Sequence, residues 1–187
     1  MLAAGDITLG ILAGGRGTRL GGIDKAWIVR GGVTQVQRLS QRFASEVSRT
    51  LVSANRDPER FESLGFTVVV DRMPGLGPIG GLDALAHACD TPWLLSLPVD
   101  LVFVNDCLIQ TLASAGGQGA CIEDDDGVQP LVALWNVEAL RAAFPRPDLS
   151  VQSLQRDMGL ARIRLTGVRL GNLNTPGDLA AADATLP

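Results

Sequence analysis

The chain has 187 residues, 46% of them apolar and 19% charged, with a formal net charge of −4. That length suits one domain spanning residues 1–187 and is short for two, while the apolar share supports a packed core. The acidic balance argues against a broad nucleic-acid surface, and apolar runs of five to six residues fall far below the roughly 18 of a membrane span. No secretory signal pattern opens the chain. The expectation is a cytoplasmic protein without nucleic-acid or membrane partners. Cys89, Cys107 and Cys121 stand far apart without metal spacing and read as buried thiols in a reducing compartment. His87 is the only histidine, so a Ser-His-Asp triad is not supported.

In chain order, the apolar run Ile7–Leu12 predicts a first strand. Five glycines follow within nine residues (Gly14, Gly15, Gly17, Gly21, Gly22), interleaved with Arg16 and Arg19 and closed by Lys25. Glycines bring backbone N–H groups close to a ligand, and the flanking cations supply counter-charge, so this segment reads as a polyphosphate cradle. It is not a P-loop, because Lys25 follows Asp24 and precedes Ala26. The dinucleotide fingerprint also fails, since Leu20 stands where the third glycine belongs.

Val33, Val36, Leu39, Phe43 and Val47 step by three or four and predict a helix, followed by a strand at Thr50–Ser53. A third strand is expected at Thr67–Val70. Ile79, Leu82, Leu85, Ala86 and Cys89 form a second helical stripe before a strand at Trp93–Leu97. Leu108, Leu112 and Ala115 suggest another helix. Strands at Ala120–Ile122 and Leu131–Trp135 look like a hairpin with an Asp-Gly turn, and the acid run Glu123–Asp126 reads as the solvated turn rather than a metal site. A short strand is expected at Val168–Leu170. Asn174-Thr-Pro176 marks the start of a final helix.

Continuous apolar strands alternating with helices predict a doubly wound, Rossmann-like α/β fold with a mainly parallel sheet and a small hairpin insertion. Ligands on such sheets bind beyond the carboxyl ends of the strands. Asp71 and Asp100 both fall at that edge, with the glycine loop. Triphosphate chemistry calls for Mg²⁺, which takes one or two carboxylates, so Asp100 is the favoured ligand and Asp71 a substrate contact or second carboxylate.

Several segments carry a resemblance to the molybdenum cofactor guanylyltransferase family. Leu12-Ala-Gly-Gly15 with Gly21-Gly-Ile-Asp-Lys25 is similar to its signature loop. Ser53-Ala-Asn-Arg56 resembles its base- and ribose-binding turn, and Asp71 with Gly77-Pro-Ile-Gly-Gly81 its next loop. Val99-Asp100 resembles the metal-binding strand end, Gln129-Pro130-Leu the pterin-side hairpin, and Asn172-Leu-Asn-Thr-Pro176 the closing motif. Two stretches depart from the pattern. Ser53 stands where the family usually has asparagine, and Leu97-Pro-Val-Asp-Leu-Val102 replaces its Pro-Cys-Asp-Thr-Pro.

The resemblance implies a nucleotidyltransferase fold and Mg²⁺-assisted transfer of GMP from GTP to molybdopterin. It implies a nucleotide site at Leu12, Ala13, Gly14, Gly15, Lys25, Ser53, Asn55, Asp71 and Asp100, with Lys25, Arg19 and Asp100 serving catalysis. Gly80, Pro130, Asn172 and Asn174 would face the acceptor substrate. Transient contacts with molybdopterin-delivering proteins and acceptor molybdoenzymes would follow. A molybdopterin cytidylyltransferase, a sugar-phosphate nucleotidyltransferase and a non-catalytic cofactor chaperone stay open as alternatives. Asp100, facing other anions, is expected to be strained without its metal, so that removing its charge holds or raises stability.

Overall fold

The computed structural model describes residues 2–14, 24–73, 75–104, 106–144 and 150–183. β1 (Ile7–Leu12) is buried along its whole length, which explains its unbroken apolar sequence. It is flanked in parallel by β4 (Arg49–Ser53) and β6 (Trp93–Pro98), and β5 (Thr67–Val69) pairs in parallel with β4. β8 (Gly127–Asn136) joins β6 antiparallel, β7 (Gly119–Asp124) pairs antiparallel with β8, and β9 (Ala161–Arg164) is parallel to β7. The seven-stranded order is β5-β4-β1-β6-β8-β7-β9, and β2 (Val29–Arg30) and β3 (Val33–Thr34) form a separate ribbon. The expected mainly parallel sheet is present, with β8 as the reversed strand.

Strand alternation sends side chains to two cores. Ile7, Leu9 and Ile11 of β1, with Leu95 and Leu97 of β6, face one layer. Its helices are α1 (Gln35–Phe43), α2 (Pro58–Glu62) and α4 (Leu108–Ala113), which contribute Val36, Leu39, Phe43, Phe61, Leu108 and Leu112. Leu12, Leu51, Leu94 and Trp135 face the other layer, formed by α3 (Pro78–Ala88), α5 (Val137–Ala142) and α6 (Val151–Asp157). Burying each such leucine or phenylalanine stabilises the fold by about 1.5–3 kcal/mol. Gly10 lets α3 approach the sheet closely, since a Cβ there would lie 2.9 Å from Leu85 and Leu94 side-chain atoms. Trp135 buries its indole in this layer and donates its Nε1–H to Ser96 Oγ at 2.8 Å, as a buried tryptophan requires.

Helix starts follow local chemistry. At α1, the Thr34 N–H donates to Gln37 Oε1 at 3.3 Å, the backward half of a capping box. The predicted stripe overshoots this helix, because Val33 lies in β3 and Val47 beyond its end. α7 (Pro176–Asp183) begins at the predicted Asn174-Thr-Pro176 boundary.

Three expectations need correction. Val168–Leu170 is not a strand; its carbonyls accept from Asp125 N–H and Phe103 N–H at 3.0 and 2.9 Å, tying it across two loops. The last strand is β9 instead, an edge strand whose alternating arginines disguised it. The acid run is not uniformly solvated. Its hairpin has Asp125 and Asp126 as loop residues, but Asp124 is fully buried. There it accepts from Leu170 N–H, Asp126 N–H and Gln129 Nε2. Burial by itself would raise its pKa, yet these donors hold it below the usual carboxylate value. Cys89 and Cys121 are buried as expected, whereas Cys107 is exposed. Among the described residues no helix is long and apolar enough to cross a membrane.

Candidate active site

The sheet order reverses around β1. The chain leaves β1 toward β4 on one side and leaves β6 toward β8 and β7 on the other. The crevice beyond the carboxyl ends of β1 and β6 is therefore the topological switch point, where open α/β sheets bind ligands. Leu12 and Pro98 are register partners at that edge. Just beyond them the Val99 N–H donates to Leu12 O at 3.1 Å, and the Ala13 N–H to Ser53 O at 2.9 Å. Leu12 and Ala13 thus sit between the ends of β6 and β4, and Gly14 emerges exposed. Gly15, Arg16 and Arg19 lie outside the described residues.

The chain resumes at Asp24, whose carboxylate accepts from Ala26 N–H at 3.0 Å and caps a single 3₁₀ turn, Lys25–Trp27. Ala26 is fully buried. Trp27 packs on Phe61 with ring centroids 4.6 Å apart, and the Arg60 guanidinium lies 3.8 Å over its ring. These contacts anchor the turn that carries Lys25, the single lysine of the chain.

Lys25 Nζ donates to Asp100 Oδ2 at 2.6 Å and to Asn174 Oδ1 at 2.7 Å. Both side chains of the ion pair are about one-fifth exposed, at 21% and 22%, so the pair is half-sheltered yet open to a ligand. Asp100 is pinned by buried neighbours Val99 and Leu101. Buried Gln35 adds its Nε2–H to Leu101 O at 2.6 Å. The closing segment returns to the same place: Asn172 bridges Leu101, and the Leu173 N–H donates to Asp100 O at 2.9 Å. Leu173 packs with Ile28, Val102 and Leu179 in a small apolar cluster beneath it. Lys25, Asp100, Asn172 and Asn174 are thereby one constellation.

A second group gathers around Asp71. Its N–H donates to Asn55 Oδ1 at 2.9 Å, which fixes the Asn55 amide so that its NH₂ is the group a ligand could meet. Gly80, in the first turn of α3, lies so close that a Cβ would sit 2.8 Å from Asp71 Oδ2. A Cβ on Gly81 would sit 2.6 Å from Ser53 Oγ. Ser53 is buried beneath this turn, so its hydroxyl contributes packing at α3. Gly80 thus belongs with Asp71 rather than with Asn172 and Asn174. Pro130 lies in the part of β8 nearest the active edge, because β8 runs antiparallel to β6, and its carbonyl accepts from buried Gln155 at 2.7 Å.

Sequence reasoning missed two positioning groups, Gln35 and Asp178. Gln35 has no signal beyond its place on a helix face. Asp178 was legible as the third residue after Thr175, a capping-box spacing. It accepts from Asn174 N–H and Thr175 N–H, and these two bonds, then the Thr175 hydroxyl, hold its carboxyl below the usual range.

Among the described residues no group of three histidine, cysteine or acidic side chains could hold a metal ion. Asp100 Oδ2 and Asn174 Oδ1 nevertheless converge on one cation, the Lys25 ammonium. Asp100 gives one carboxylate oxygen to Lys25 and keeps the other, and one anionic oxygen fits a hard divalent cation that completes its shell with phosphate oxygens and water.

A family model of the MobA-like NTP transferase domain matches residues 9–163. A molybdenum cofactor guanylyltransferase of Cereibacter sphaeroides is 38% identical over 185 residues, covering 94% of this chain and 95% of that protein. One from Ralstonia nicotianae is 41% identical over 158 residues, covering 80% and 78%. Among solved structures, molybdopterin-guanine dinucleotide biosynthesis protein A of Archaeoglobus fulgidus superposes with a TM-score of 0.71 at 21% identity, covering 95% and 97% of the two chains. The 2-C-methyl-D-erythritol 4-phosphate cytidylyltransferase of Thermus thermophilus gives 0.67 at 17% identity, covering 94% and 96%. These two likenesses show the fold.

Proposed function

The chain belongs to the MobA-like NTP transferase family, as a nucleotidyltransferase of molybdenum cofactor biosynthesis, and from that premise we propose that it transfers GMP from GTP to the terminal phosphate of molybdopterin. We read residues 1–187 as one nucleotidyltransferase domain. The observation that carries the reading is the Lys25–Asp100–Asn174 constellation at the switch-point crevice.

The reaction forms a bond between an oxygen of the acceptor phosphate and the α-phosphorus of GTP. The bond from that phosphorus to the bridging oxygen breaks, and pyrophosphate leaves with the electron pair. The nucleophile is already anionic, so no general base is required. This agrees with a histidine engaged elsewhere: His87 Nδ1 lies 3.1 Å from Asp83 Oδ1, and its Nε2 lies 2.7 Å from Arg72 Nη1. The ring of His87 is therefore committed to Asp83 and Arg72.

The protein's task is to align two polyanions and offset their repulsion. Lys25 has three N–H donors; Asp100 and Asn174 take two, and the third suits an α-phosphate oxygen. Arg19 would add positive charge from the glycine loop. The backbone from Leu12 to Gly15 would lie along the phosphates, and the Asn55 NH₂ and Asp71 would meet the nucleoside. Asp100, through the carboxylate oxygen that Lys25 does not use, would hold Mg²⁺, which neutralises charge on the triphosphate when bound. Pro130 and Asn172 remain proposed contacts for the acceptor, while Gly80 is read with Asp71 on the nucleoside side.

Competition among GTP, CTP and UTP, with wild type and Lys25→Ala, tests the reading. Wild type should favour GTP, and Lys25→Ala should lose about 10²-fold in transfer, the scale of removing a preorganised charge at a reacting phosphate. Wild-type transfer by Lys25→Ala would refute the site. Preference for CTP would make the chain a cytidylyltransferase.

A further inference from the structure

Asp178 makes no hydrogen bond to Lys25 and meets it only as a nearby charge, yet it bonds the backbone of Lys25's partner Asn174. Asn174 Oδ1 holds Lys25 Nζ at 2.7 Å, and the orientation of Asn174 is set by its own backbone. That backbone N–H donates to Asp178 Oδ2 at 2.9 Å and to Asn172 O at 3.0 Å. The next N–H, of Thr175, donates to the same Asp178 oxygen at 2.8 Å, and Asp178 N–H returns to Thr175 Oγ1 at 3.1 Å. One carboxylate oxygen thus fixes two successive peptide units where the strap over Asp100 turns into α7. A carboxylate accepting backbone N–H groups at a helix start is a strong, charge-assisted arrangement.

We propose that Asp178 is a positioning residue for Lys25, acting through the backbone and side chain of Asn174. Its functional consequence rests on the reading that Lys25 meets the nucleotide phosphates. Without Asp178 the Asn172–Thr175 strap keeps its anchors on Leu101 and Asp100, but Asn174 no longer presents its oxygen at a fixed point. Lys25 then keeps one oxygen partner of two and samples several directions.

Because Lys25 is the only lysine, its acylation by an amine-directed reagent can be followed in the intact chain by peptide mass spectrometry, with the α-amino group as internal reference. Asp178→Ala should raise the Lys25 acylation rate about threefold or more, as expected when a charged group loses a hydrogen-bond partner. Asp178→Glu, which keeps a carboxylate in the capping-box position, should restore the wild-type rate. For GMP transfer, Asp178→Ala should lower kcat about tenfold with little change in KM, because misdirecting Lys25 removes stabilisation made in the transition state. In a Lys25→Ala background the same substitution should add no more than about a twofold loss, since both act through one contact.

Thermal melting identifies whether Asp178→Ala is folded at the assay temperature. If it is not, Asp178→Asn decides, because its neutral oxygen can still cap the helix but holds Asn174 less firmly; Lys25 acylation must then rise about twofold. Wild-type acylation in the deciding variant overturns the proposal, as does an additive loss in the Lys25→Ala background. Absence of GTP binding and transfer in wild type would instead refute the proposed function, leaving the acylation result to judge Asp178 by itself.

Discussion

Replacing Asp100 by asparagine keeps the shape of the side chain and deletes its charge. In the structure Asp100 faces the Lys25 ammonium at 2.6 Å, not a set of anions, so the expectation that its neutralisation holds or raises stability is reversed. Asparagine Oδ1 can still accept from Lys25, so what is lost is the charged share of the hydrogen bond. A charged bond is worth about 1.5–3 kcal/mol and a neutral one about 0.5–1.5, a difference of about 1–1.5 kcal/mol. The exposures of 21% and 22% agree with this scale. A fully exposed pair contributes about 0–1 kcal/mol and breaking a fully buried one costs about 3–5, and this pair lies between.

For a chain of this length each kcal/mol shifts Tm by about 2–4 °C, so Asp100→Asn should melt about 2–6 °C lower. Transfer should fall by about 10²-fold or more, because a divalent cation loses its anionic ligand. The assay is thermal melting without nucleotide, beside GMP transfer across a magnesium titration. A Tm at or above wild type would refute the ion-pair reasoning. Unchanged transfer with unchanged magnesium dependence would remove Asp100 from the metal site and leave Asp71 as the candidate.

Asp124 supplies a pH prediction. Its folded pKa is depressed, so its contribution is present above the unfolded value near ~3.9 and is lost as pH falls through the folded value. Asp124→Asn should cost about 1–3 kcal/mol at neutral pH, because an amide NH₂ faces N–H donors, and urea melts across acid pH should show a shallower slope; an unchanged slope would contradict this. Gly80→Ala gains about 1 kcal/mol of helix propensity, but its Cβ would press on the Asp71 carboxylate at 2.8 Å. Melting should hold or improve while GTP affinity falls about tenfold, on the scale of one charged hydrogen bond; unchanged affinity in a titration would place Asp71 outside the nucleotide site.

The local pattern of the chain already contains its architecture. Strands at 7–12 and 93–97, with the stripe from Ile79 to Leu85 between them, need only period and polarity to be recognised, because each buries a whole face or stripe. The cradle, Lys25 and Asp100 are legible for a similar reason: glycine density, charge and strand ends are local properties. Some short elements were not, since α2, α5 and α6 each bury no more than two apolar side chains, too few to show a period, and β9 hides as an alternating edge strand. What only the tertiary structure decided is the company each residue keeps. Lys25 meets Asp100 across 75 positions and Asn174 across 149, a conjunction made by the strand order and by a C-terminal strap bonded to the end of β6. The same distance from local signal turned Asp124 inward, where a buried carboxylate is stable only because Leu170, Asp126 and Gln129 arrive to donate to it.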